Sequence, residues 1–227
     1  MKKLLLLLLA VAVCNCSNDD SLIVNQQEPE DLTIYNPDLT IVENLDNGVA
    51  VLDITGELGV EALYGIEYGG GYIFHVNETD GKLMVATDYS TIGQTSWGDH
   101  FDLTNSVEIG AGLDNTQQIV DGNLADNSNV PNGLEFGNDD YAFKIVWDLE
   151  YAGYDDWFVP SKDSMEAIFD NVHMQGMGNF DETQFYWTST KEGYQPYVMT
   201  FNPNTFNGDC FLGTCFASNA VVIVRQF

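Results

Sequence analysis

Apolar positions along the chain come mostly in short runs bounded by turn-forming residues, with a helical period in a few places. Tyr72-Ile-Phe-His-Val76 and Leu83-Met-Val-Ala-Thr87 read as strands. They are joined by Asn77-Glu-Thr-Asp-Gly81, whose residues tolerate unusual backbone angles. Phe185-Tyr-Trp-Thr-Ser189, Tyr197-Val-Met-Thr-Phe201 and Ala220-Val-Val-Ile-Val224 also read as strands. The last is apolar throughout, which predicts a central strand. Upstream, Leu39-Thr-Ile-Val42 and Val49-Ala-Val-Leu-Asp-Ile54 flank Asp46-Asn47-Gly48, a pattern that fits either a hairpin or a lead-in strand. The long polar region 90–140 is interrupted by one short helix over residues 116–120, with Asp114 or Asn115 as its cap. A second helix is expected over 141–151, where Phe143, Val146, Trp147 and Glu150 share a face and Gly153 follows.

The densest local signal is Gly153-Tyr-Asp-Asp-Trp-Phe-Val-Pro-Ser-Lys-Asp-Ser-Met-Glu-Ala-Ile-Phe169. A turn, the short apolar strand Trp157-Phe-Val159 and a helix follow one another directly, with Pro160 ending the strand. Ser161 suits the N-cap and Asp163 the first turn, where the helix dipole favours an acid. Met165, Ile168 and Phe169 give this helix one apolar face.

Gly153-Tyr-Asp-Asp-Trp-Phe-Val-Pro-Ser also resembles the signature of the Lcl C-terminal domain family, named after a collagen-like bacterial adhesin. Further similarities run in the family's order. They are Gly69-Gly-Gly-Tyr-Ile-Phe-His-Val76, Trp97-Gly98, Ile109-Gly-Ala-Gly-Leu-Asp-Asn-Thr-Gln-Gln-Ile-Val120, Tyr186-Trp-Thr-Ser-Thr190 and the closing Val222-Ile-Val-Arg-Gln-Phe227. The resemblance covers residues 64–227. It implies an α+β, C-type-lectin-like domain with a small, twisted, mostly antiparallel sheet, two main helices and long loops. It also implies use at bacterial surfaces.

The N-terminus changes the compartment expected for this domain. Lys2-Lys3 precedes an apolar run over residues 4–13, too short to span a bilayer and charged like a secretory signal. Cys14 and Cys16 close the run, which predicts a lipoprotein signal over residues 1–16. Ser17-Asn-Asp-Asp20 favours Cys16 over Cys14 as the acylated residue and resembles an acidic surface-export signal. Residues 17–38 then read as a polar tether and 39–63 as lead-in strands. The expected location is the outer membrane, facing outward, with the lipid as the only membrane contact.

Charge narrows the partners. The chain carries 35 acidic and 7 basic residues. Loss of Lys2 and Lys3 with the signal would leave 5 against 35, a balance of −30. Such a chain repels phosphate backbones, which argues against nucleic acid. The same repulsion opposes the sulfated-glycan binding that the family resemblance would imply.

Candidate chemistry is sparse. Cys210 and Cys215 form an even pair around Phe-Leu-Gly-Thr, which predicts a disulfide in an oxidising compartment. The histidines His75, His100 and His173 are scattered, and Asp99-His100-Phe101-Asp102 reads as a solvated loop rather than a metal site. Gln195-Pro196-Tyr197 and Trp187-Thr-Ser189 lack the carboxylates of calcium-dependent sugar-binding lectins, which leaves calcium an incidental role at most. No nucleophile elbow or phosphate-binding glycine loop occurs, so a binding module is favoured over an enzyme or a structural subunit. Trp147, Trp157, Phe158, Tyr186 and Trp187 sit in apolar-patterned elements and are expected in the core. Trp97, Tyr194 and Tyr197 adjoin turn-rich loops and are the expected ligand-contacting aromatics, for a glycan or a protein.

Overall fold

A computed structural model of the chain describes residues 33–88, 92–98, 101–125, 140–205, 208–215 and 217–227. The signal segment, Cys14, Cys16, Asp99, His100 and residues 17–32 of the tether lie outside the described residues. From residue 33 onward the chain is α+β, with helices packed on two sheets. None of its described helices is long and apolar enough to cross a membrane.

The segment expected as lead-in strands is helical. Helix α1 (Ile41–Asp46) starts at a capping box: the Thr40 hydroxyl accepts from the Glu43 amide, and the Glu43 carboxylate accepts from the Thr40 amide. Those two bonds satisfy helix-end groups that a strand would not have, and they outweigh the β-branched Ile41-Val42 pair. Asn47 closes α1, and Gly48, at φ +84°, turns the chain toward helix α2 (Val51–Leu58). A 3₁₀ turn over Val60–Leu63 then leads into the first sheet.

That sheet has the order β1-β2-β3-β9, antiparallel throughout: β1 (Glu67–Tyr68), β2 (Gly71–Val76), β3 (Leu83–Ala86) and β9 (Val224–Gln226). The β2–β3 hairpin is the one expected from the sequence. The second sheet has the order β4-β8-β5-β6-β7: β4 (Gln94–Ser96), β8 (Ser218–Ala220), β5 (Tyr186–Glu192), β6 (Gln195–Met199) and β7 (Phe211–Leu212). Its pairs are antiparallel except β5 with β8.

The predicted central strand over residues 220–224 instead joins the two sheets. Its N-terminal end belongs to β8 and its C-terminal end to β9, and all five residues are fully buried. Alternate side chains serve opposite apolar layers. Ala220, Val222 and Val224 pack with Phe74, Met165, Phe169 and Tyr186, whereas Val221 and Ile223 pack with Ile73, Trp157, Trp187 and Phe143. Burial on both faces explains the unbroken apolar run, because neither face is left for polar residues.

Helix α5 (Lys162–Asn171) covers the first of these layers through Met165, Ile168 and Phe169, and the Ser161 hydroxyl caps it by accepting from the Ser164 amide. The other layer holds α3 (Gly112–Ala125) and α4 (Ala142–Trp147). Helix α3 starts earlier than expected, so Asp114 and Asn115 lie within it rather than capping it. Asn115 is buried, and its amide donates to the Ser106 carbonyl at 2.7 Å. Helix α4 is shorter than expected because Asp148 caps it, and Trp147, expected in the core, is 37% exposed. Trp157-Phe158-Val159 is extended but forms only a single-residue bridge, Phe158 to Val224.

Trp97 and Trp157 are both buried and ringed by apolar side chains. Trp97→Ala and Trp157→Ala are each expected to lower stability by about 3–5 kcal/mol, measured by urea unfolding of the two variants beside the parent.

His75 is half-buried in β2, and burial holds its imidazole below the ordinary 6.5 despite the opposing charge of Glu78. The unfolded chain therefore binds the proton more readily, so the contribution of His75 is complete above about pH 6.5 and is lost as pH falls through the lower folded-state value. Unfolding midpoints measured across that window should flatten in His75→Gln.

Candidate functional site

Of the three aromatics expected to form a ligand surface, one is buried. Trp97 is fully buried beneath its own segment, edge-on to Phe143 at 4.9 Å and tilted against Phe101 at 6.0 Å. The ammonium of buried Lys191 lies 4.6 Å from the Trp97 ring and 4.2 Å from that of Phe101, and it also donates to the Phe101 carbonyl. Trp97 is therefore core. Phe101, Phe143 and Lys191, brought in from other positions of the chain, enclose the ring that its turn-rich neighbours made look accessible. Tyr194 is 51% exposed at the β5–β6 turn, and half-buried Tyr197 donates to Glu192 Oε2 at 2.9 Å.

No disulfide joins Cys210 and Cys215. Cys215 is buried in the layer of Trp97 and Trp187, whereas Cys210 lies at the edge of the other layer. The Cys210 amide donates to Glu166 Oε1 at 2.9 Å, and its thiol contacts the Lys162 carbonyl at 3.7 Å. Burial, with the charge of Glu166, pushes the Cys210 thiol well above its ordinary value. Among the described residues no three His, Cys, Asp or Glu side chains are grouped to hold a metal ion.

A different set of side chains converges. A cleft of about 470 Å³ is lined by Val42 and Asp46 of α1, Tyr68 and Gly69 at the end of β1, Tyr154, and Arg225 and Phe227 at the C-terminus. The guanidinium of Arg225, the only arginine in the sequence, organises it. Asp156 accepts from its Nε at 2.7 Å and from its Nη2 at 2.9 Å, while Nη1 donates to the Gly69 carbonyl at 3.2 Å. The guanidinium carbon lies 3.6 Å from the Tyr154 ring centroid and 4.5 Å from that of Phe227. A planar cation between two ring faces, paired in bidentate fashion with a carboxylate, is a rigid centre.

Two backbone features hold the aromatic walls. A side chain at Gly69, whose φ is +60°, would meet the Phe227 ring at 2.4 Å, so only glycine admits that ring. Tyr151 and Tyr154 exchange backbone hydrogen bonds of 2.9 and 3.0 Å across Ala152-Gly153, both at positive φ. Ala152, at φ +53°, sits in a region that costs a non-glycine residue on the order of 1 kcal/mol or more. The turn presents Tyr154, 36% exposed, while Tyr151 packs edge-on to Trp157 at 5.7 Å. Phe227 is 38% exposed and tilted against Tyr68 at 6.1 Å. Burial raises the Tyr68 phenol above its ordinary value, and the adjacent Asp46, which is hydrogen-bonded to it, adds to the rise.

The cleft therefore combines exposed ring surface with one carboxylate and phenol hydroxyls, arranged around a cation whose charge is already matched. None of its lining residues was among the expected site residues. The uniqueness of Arg225 was an available signal. The contribution of α1 was not, because that segment read as strand. Compared with known families and with curated proteins, the sequence matches no family model and no characterised relative.

Asp156→Asn removes the charge that pairs with Arg225 but keeps the shape. The Asp156 side chain is 45% exposed, so solvent screens the pair and the expected loss is about 1–2 kcal/mol. Chemical unfolding at low and high salt checks this, since the difference from the parent should shrink as salt rises.

Proposed function

We propose that this chain is a lipid-anchored module at the bacterial outer surface that binds an extracellular glycan or protein, in the manner of an adhesin. The cleft around Arg225 carries this reading. Its volume, about 470 Å³, lies in the range in which proteins bind small ligands or ligand segments. Its walls are aromatic rings left partly exposed, held by a strained turn and a half-exposed, bidentate ion pair. Strain kept at a surface turn is the kind of cost that binding sites retain. The resemblance of residues 64–227 to the Lcl C-terminal domain family supports the same reading and adds a C-type-lectin-like topology. The signal and Cys16, the favoured lipid attachment site, supply the anchor in this account. No catalytic role is assigned.

The full chain, purified in detergent, should bind members of a combined glycan and extracellular-matrix array. Phe227→Ala should weaken that binding by about tenfold or more, as for a central aromatic anchor, while retaining a cooperative melt. Loss with Tyr194→Ala but not with Phe227→Ala would move the site to the β5–β6 hairpin and overturn the assignment. Intact-mass analysis of the mature protein should find a tri- or diacylated N-terminal cysteine at residue 16, and an unmodified N-terminus would remove the anchor from the proposal.

A further inference from the structure

Resting on the cleft assignment above, we infer that its ligand is an uncharged pyranose glycan, bound without calcium and in preference to sulfated or uronic-acid glycans. The electrostatics carry this choice. A cleft containing an arginine would ordinarily suit an anion. Here the guanidinium is matched by Asp156 through two short hydrogen bonds of 2.7 and 2.9 Å, its third bond goes to the Gly69 carbonyl, and the residue is only 7% exposed. The remaining charged group of the lining is Asp46, an exposed carboxylate. Arg225, Asp156 and Asp46 together sum to −1, on a chain whose formal net charge is −28. A sulfate or carboxylate entering the cleft would meet like charge locally and across the whole surface.

The remaining chemistry suits a neutral sugar. A pyranose ring has one face of C–H groups and a rim of hydroxyls. Tyr68, Tyr154 and Phe227 offer ring surface for the face. The Asp46 carboxylate, which already accepts from the Tyr68 phenol, can accept from a sugar hydroxyl as well, and the Tyr154 phenol can donate or accept at the rim. A peptide fits less well. The neighbouring edge strand β1 has two residues, too short a template for strand addition. Calcium fits poorly too, because the ion requires six to eight oxygen ligands. Asp156 is committed to Arg225, which leaves Asp46 as the one side-chain carboxylate of the lining not held by the guanidinium.

The test is a glycan array probed with the full chain in detergent, in calcium and in chelator. It carries neutral hexose and N-acetylhexosamine oligosaccharides, sulfated and uronic-acid glycans, and lysine-rich peptides. Binding to neutral glycans, unchanged by chelator, weakened about tenfold or more by Phe227→Ala and several-fold by Asp46→Asn, with Met174→Ala as the unaffected surface control, is the expected result. Asp46→Lys should shift the preference toward sulfated glycans. Binding confined to anionic glycans or to basic peptides, or abolished by chelator, would overturn the ligand class. If Phe227→Ala still weakens that binding, the cleft reading survives. Neutral-glycan binding indifferent to both Phe227→Ala and Asp46→Asn would overturn the cleft itself.

Discussion

The corner from Asp156 to Ser161 is the constraint on which the rest depends, because its residues are fastened to β9, α3, β5 and the loop before α3. Asp156 holds Arg225, and Phe158 exchanges backbone hydrogen bonds of 2.8 and 2.9 Å with Val224. The Val159 amide donates to the Thr116 hydroxyl of α3 at 3.1 Å. The Pro160 carbonyl accepts from Ser189 of β5 at 2.7 Å, and the Ser161 hydroxyl donates to the Glu108 carbonyl at 2.6 Å while capping α5. A proline that cannot continue a ladder thus ends one element and starts another within a few residues. The backbone groups of the corner are satisfied by strands of both sheets and by the Thr116 hydroxyl of α3.

The two sheets are joined by a connection that is itself buried, and residues 220–224 supply it. Alternation of side chains lets this extended segment feed one layer with Val222 and the other with Val221 and Ile223. Part of the backbone pairing continues where the segment leaves β8. The Val221 amide donates to the Gly93 carbonyl at 3.1 Å and the Ile223 carbonyl accepts from Thr87 at 3.0 Å. A buried crossover with its polar groups paired costs little, whereas an unpaired one would be prohibitive.

The same corner creates the cleft. Its turn is bent back so that Tyr154 stacks on the guanidinium that Asp156 holds, and the C-terminal Phe227 closes the other side over Gly69. One arginine ties the two together, with the ion pair supplying rigidity and the rings supplying surface. In so acidic a chain, pairing the single arginine internally leaves the cleft with no net positive charge to offer a ligand.

Features governed by neighbours in sequence were legible without coordinates. The β2–β3 hairpin follows from alternating runs around Asn77–Gly81, and the start of α5 from Ser161 as cap with Met165, Ile168 and Phe169 on one face. The capping box at Thr40 and Glu43 was equally local, and it outweighed the β-branched pattern that suggested strands. What the sequence left open depends on partners far along the chain. An apolar run does not reveal that it changes sheets between Ala220 and Val224, because burial on both faces looks the same in one sheet or in two. Trp97 in a turn-rich stretch looks exposed until Phe101, Phe143 and Lys191 close over it. The cleft joins residues 42 and 46 to 225 and 227. Side chains so distant in sequence meet only through tertiary packing, so periodicity and capping, which act over a few residues, carry no record of the contact.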